Sequence, residues 1–138
     1  MYWKNVTAVF LLAGAIALCL PQLALSQYWS IRLDGGSGGT DIVHAADHAG
    51  GYTTLTGTTQ HTDGSTRAFT TRISSSGDTL WTRMLSGTGD THGIAVRCTP
   101  DTGALVACAQ WTAATWRPTL VKYTADGSVA WERQIDVS

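Results

Sequence analysis

Ser37 stands at the centre of Gly35-Gly36-Ser37-Gly38-Gly39, which spells the G-x-S-x-G pattern of a nucleophile elbow. That elbow needs a strand before the serine, a helix after it and an α/β sheet of much greater length than this chain supplies. Low-complexity Gly and Ser in a turn meet the pattern by chance, so no catalytic residue is assigned. His44, His48, Asp41, Asp47 and His92 are the side chains from which a metal site would be drawn. Their spacing lacks the four-ligand rhythm of structural zinc sites, which favours solvated histidines and no metal. The loop Asp34 to Asp41 is acidic and Gly-rich, and its oxygens suit a flexible calcium cage. Because the D-x-D-x-D-G order is not met, Asp34 and Asp41 are weak metal candidates, and the preferred role for such aspartates is tying down a turn. Trp111 and Trp116 bracket Thr112 to Thr115 and form the weak candidate ligand site, since loop aromatics stack on sugar rings or mark a protein contact. The competing fate of two such large rings is burial. Cys98 and Cys108 flank a turn at Pro100 to Gly103 and are expected across from each other or one diagonal step apart, within reach of a disulfide.

The elements that would position these residues begin after the amino terminus. Lys4 supplies an early positive charge, residues 6–20 form an apolar run, and Ala24-Leu25-Ser26 places small residues where a signal peptidase cuts. Residues 1–26 are therefore expected to be a signal peptide, with cleavage before Gln27. The apolar run is shorter than the ~20 residues a spanning helix needs, and Pro21 interrupts it. Cys19 raises a lipoprotein alternative, but Leu18 occupies the position where that motif wants a small residue. The expected location is secreted, extracellular or periplasmic, with no membrane attachment after cleavage. Oxidation of Cys98 and Cys108 is permitted there.

The chain has nine Lys plus Arg against ten Asp plus Glu, and loss of Lys4 leaves the mature part slightly acidic. No basic stripe exists to neutralise phosphates, which argues against nucleic acid as a partner. Short β-branched runs bounded by Gly, Asp and Ser predict strands at 29–33, 42–46, 52–58, 68–73, 80–85, 93–99, 104–111, 120–124 and 129–135. Residues 40–49 also fit a short helix, but the aligned "THGIAVRCTP" favours a strand in both places.

Trp29, Trp81 and Trp131 fall at spacings of 52 and 50 residues, and around them the chain repeats itself. Arg72-Ile73 corresponds to Lys122-Tyr123, and Gly77 and Gly127 each precede a Trp by four residues. A period of ~40–50 residues holding about four strands is the mark of a propeller blade. The expected fold is all-β: two four-stranded antiparallel propeller-type blades, at about 29–80 and 81–130, plus the first strand of a third at 131–138. As terminal repeats lack neighbours to cover them, the unit is expected to seek further blades, from a homo-oligomer or a longer parent chain.

The pattern resembles that of bacterial secreted β-propeller repeats, in which a Trp strand, a Gly-Gly loop with Asp, a hairpin and a closing Asp-Gly recur. Matching positions are Trp29, Gly35, Gly36, Asp41, Gly50, Gly51, Tyr52, Gly57, Arg72, Ile73 and Gly77 in the first copy. The second matches through Trp81, Gly87, Gly89, Gly103, Lys122 and Gly127, with His92 and Ala109 in place of the aspartate and a glycine. A weaker likeness is to the blades of quinone-cofactor dehydrogenases, whose eight blades and cofactor floor two repeats cannot supply. The resemblance implies a fold, and no catalysis or cofactor. The expected function is an exported, non-catalytic structural or ligand-presenting module that contacts a glycan or cell-surface protein. The alternative is a small carbohydrate-binding module using Trp111 and Trp116.

Overall fold

The computed structural model describes residues 39–85, 87 and 89–136. The signal-peptide segment 1–26, the strand expected at 29–33, Asp34 and Ser37 lie outside the described residues. Within them the chain forms β1 (Asp41–Ala49), β2 (Tyr52–Gln60), β3 (Thr66–Ser74), β4 (Thr79–Met84), β5 (Thr91–Cys98), β6 (Ala104–Thr112), β7 (Thr115–Tyr123) and β8 (Val129–Gln134). They make two four-stranded sheets, β1-β2-β3-β4 and β5-β6-β7-β8, each antiparallel throughout. The segment that also fitted a helix is β1.

Local sequence explains the hairpins. Gly50 and Gly51 both take positive φ, 61° and 80°, in the two-residue loop joining β1 to β2, a geometry that suits glycine and matches strand twist. The β3–β4 and β7–β8 turns share one hydrogen-bond scheme: Ser74 N–H donates to Asp78 O and Gly77 N–H to Ser74 O, while Thr124 donates to Ser128 and Gly127 to Thr124. Gly77 and Gly127 hold φ of 92° and 81°, where a Cβ is strained.

These two tight turns correct the expected phasing of the blades. They send each Trp strand straight back along the strand before it, so β4 pairs with β3, and β8 with β7. Residues 129–134 are the fourth strand of the second sheet and do not open a third; the sheets run 41–84 and 91–134. A short hairpin decides strand pairing locally, while the longer link at 85–90 is free to cross to the next sheet. Irregularities fall at matching places: β1 is bulged between Val43 and Ala45 and β5 between Gly93 and Ala95, and β3–β4 and β7–β8 slip at Arg72/Ile73 and Lys122/Tyr123.

A second correction concerns β7, which starts at Thr115, earlier than the expected residue 120, and contains Pro118. Proline lacks the N–H of an internal strand. Pro118 O accepts from Ile135 N–H on the β8 side, so its ring nitrogen faces the end of β8, where the ladder stops.

The sheets pack face to face, with β5 crossing β1, β2 and β3. Their shared core contains Ala68, Trp81, Leu85, Val96, Ala104, Val106, Cys108, Val121 and Tyr123. Gly93 makes the close approach possible, because a Cβ there would lie 2.3 Å from Thr56 Oγ1 and 2.7 Å from Gly57 O.

Candidate functional site

Two constellations stand out. The first joins the sheets. Arg72 on β3 lies directly opposite Trp81 on β4, and on the same face. Its guanidinium sits 5.4 Å from the Trp81 ring centroid and 5.6 Å from that of Tyr52, stacked against both. Arg72 is buried, and the oxygens that meet its N–H groups belong largely to the other sheet's turns. Nη2 donates to Gly103 O at 3.0 Å, Nη1 to Thr102 O and, at 3.5 Å, to Ala125 O, and Nε to Thr54 Oγ1 at 3.2 Å. Trp81 Nε1–H donates to Ala125 O at 2.9 Å, and the indole lies 5.7 Å from the Tyr123 ring. Arg83 Nε donates to Gly127 O at 2.8 Å. Gly127 fits because a Cβ there would lie 2.7 Å from the Trp81 ring. One sheet thus grips the backbone of two turns of the other through an arginine, a tryptophan and a second arginine.

The same register recurs on β7 and β8, where Lys122 lies opposite Trp131. Among the described residues nothing equivalent covers them: Trp131 is 44 % exposed against 7 % for Trp81. Lys122 bonds within its own sheet instead, its Nζ donating to Asp101 Oδ1 at 2.7 Å and to Thr99 Oγ1. The bond from Lys122, followed by those that Thr99 Oγ1–H and Gly103 N–H donate to Asp101 Oδ1, holds the Asp101 carboxyl well below the usual carboxylate range.

The second constellation is aromatic. Trp111 and Trp116, weak ligand candidates from their loop placement, are brought together as a directly opposed cross-strand pair at the end of the β6–β7 hairpin. Their rings meet edge to face at 5.3 Å, and both remain exposed, at 40 % and 43 %. His92, opposite the small Ala109, places its ring 5.0 Å from Trp116. Its Nδ1 is 3.1 Å from Thr58 Oγ1, which is also 3.2 Å from His44 Nε2. The two residues of the hairpin turn, Ala113 and Ala114, hold φ of 47° and 66° without being glycine. Sequence reasoning weighed His92 only as a metal ligand; its signal as a neighbour of Trp116 was the hairpin register, which a sequence does not print.

The remaining candidates disperse. Asp41 is the first residue of β1, paired with Thr59, and so sits in a ladder and not in a loop. His48 meets Thr53, and Asp47 accepts from Cys98 N–H at 2.7 Å and pairs with Arg97. Among the described residues no group of three His, Cys, Asp or Glu gathers to hold a metal ion. The expected disulfide is corrected: Cys98 and Cys108 are both free. Cys98 lies opposite Ala104 and Cys108 opposite Gly93, four residues along β6 from that partner, which at ~3.4 Å per residue exceeds the ~7 Å a bridge allows. The tight turn set the register, and counting turn residues without it placed the thiols too close.

The class defined by this geometry is an all-β protein of two packed antiparallel four-stranded sheets. No protein-family model matches the chain, and no curated protein matches it.

Proposed function

We propose that the chain is an exported, non-catalytic structural module in which propeller-like four-stranded repeats stack face on face, and that a further sheet of the same kind covers its second sheet. One observation carries this reading. The Arg72–Trp81 pair grips the turns at Thr102-Gly103 and Ala125-Gly127, and its counterpart Lys122–Trp131 lies on the open face of the second sheet in the same register. All six residues of β8 are exposed. An open face that repeats the register of a covered one, a cation opposite a tryptophan, is a docking surface in waiting, because stacked repeats stabilise chiefly through their neighbours. The occupant is another such sheet, from a second copy or from a longer parent chain.

Light scattering coupled to gel filtration tests this on the exported protein over a range of concentrations. The expected result is concentration-dependent association that Trp131→Lys abolishes while thermal unfolding of the monomer stays cooperative. A monodisperse monomer whose behaviour is indifferent to Trp131 would sink the second-copy form of the proposal.

A further inference from the structure

We infer that Trp111, Trp116 and His92 form a binding trough for a pyranose ring of a neutral glycan, at the β6–β7 hairpin rim of the face that also carries Lys122 and Trp131. The argument starts from what the fold does not need. In the first sheet the corresponding hairpin ends in Gln60 and Thr66, which pair with each other as Trp111 and Trp116 do, so this place in the architecture has no requirement for aromatic rings. In that covered sheet Gln60 stays exposed and Thr66 is half-buried, so a stacked sheet reaches this rim and leaves the Gln60 position in water. Two indoles are nonetheless placed there side by side, and exposed.

The turn that presents them is strained. Ala113 and Ala114 both adopt the left-handed conformation, with φ of 47° and 66°, which is unfavourable for an L-residue with a Cβ. Asn-Gly or Gly-Gly fills such turns without that cost, as Gly50-Gly51 does in this chain. Strain held in a short hairpin fixes the geometry of its last cross-strand pair, Thr112 and Thr115, and of the Trp111–Trp116 pair next to it.

The chemistry of the trough selects its occupant. Trp111 and Trp116 are inclined at 64° and His92 and Trp116 at 48°, giving an angular aromatic wall with no flat surface. The C–H face of a pyranose lies on an indole, and the neighbouring ring bounds its edge. His92 Nδ1 is engaged by Thr58, which leaves Nε2 on the opposite side of the imidazole to meet a sugar hydroxyl. Neither indole carries a charge, so an anionic or cationic ligand finds no counter-ion on the two faces that would hold it. The combination of aromatic faces with one polar imidazole fits a neutral sugar better than a phosphate or a peptide carboxylate.

The test titrates the full chain with cellohexaose, mannohexaose and chitohexaose, with an oligogalacturonate as the charged control, following indole fluorescence and the heat of binding. At least one neutral oligosaccharide should bind, with Trp111→Ala and Trp116→Ala each weakening it by about tenfold or more. Trp111→Tyr should retain most of the affinity, and Leu80→Ala, an exposed apolar change on β4, should leave it unaltered. Thermal unfolding of each variant checks that the fold persists. Three results would overturn the site: no neutral probe binding at about 10 mM, a concentration sensitive to very weak complexes; binding indifferent to both tryptophans; or self-association through the pair that ceases in the Ala variants.

Discussion

Arg72 shows how one side chain sets the distance between two sheets. Its guanidinium is out of water, and its charge is met by carbonyl oxygens of the opposite turns and the faces of two aromatic rings. Removing it takes away the charged donors that tie Thr102 O and Gly103 O to the first sheet, and a hydrogen bond to a charged group contributes about 1.5–3 kcal/mol. Arg72→Ala should therefore lower the free energy of unfolding by several kcal/mol, as measured by urea titration, and Arg72→Lys should recover only part of the loss because a point charge cannot fork. Cys98 and Cys108 differ as sharply. Cys98 is half-buried, whereas burial pushes the Cys108 thiol up to about 12. Alkylation without reductant should label Cys98 in the native protein and Cys108 only after denaturation; resistance of both until a reductant is added would mean that the thiols are bridged after all.

At the scale of the elements, the turns carry the architecture. The β5–β6 turn repeats the hydrogen bonds of the β3–β4 and β7–β8 turns, with Thr99 N–H donating to Gly103 O and Thr102 N–H to Thr99 O. Thr102 therefore occupies the place of Gly77 and Gly127, at φ 61°. Thr102→Gly relieves a β-branched residue of that strain and should stabilise by about 0.5–1 kcal/mol net of the extra chain entropy, seen as a rise in Tm. Gly127→Ala acts in the opposite direction. Its Cβ would press on the Trp81 ring, in a backbone conformation already unfavourable for it, so the variant should unfold at a distinctly lower temperature.

The molecule as a whole is tied to pH through its turns. Hydrogen bonds from Lys122 to Asp101, from Ser65 to Asp63, from Thr124 to Asp126 and from Cys98 N–H to Asp47 all lower the carboxyl they meet. A depressed folded-state value contributes stability that is present above the unfolded-state range near 4 and is lost as pH falls through the folded-state values. At the alkaline end the sign reverses: burial also raises Tyr123 to about 12, so above about pH 9–10 the unfolded chain sheds protons that the folded chain keeps. Stability should form a plateau between these limits and fall on both sides. Asp101→Asn should flatten the acid limb when Tm is measured from about pH 5 to 2, and an unchanged acid limb would remove that turn from the account.

What the sequence determined by itself is local. Alternation of β-branched residues, the Gly-Gly and Asp-Gly turns and the recurrence of Trp81 and Trp131 sufficed for strands at nearly every place they occur, because period and turn chemistry act over a few residues. The resemblance of the two halves likewise sat in plain view. Sheet membership did not: the same Trp strand fits the end of one unit or the start of the next, and only the hydrogen-bonded closure of the Gly77 and Gly127 turns assigns it. Register too was settled by folding, and with it the separation of Cys98 from Cys108 and the meeting of His92 with Trp116 over Ala109. The difference in fate between Trp81 and Trp131 is of the same kind. A tryptophan at the same place in two corresponding strands is buried or exposed according to whether another sheet lies against it, and that is a property of packing, which no single strand contains.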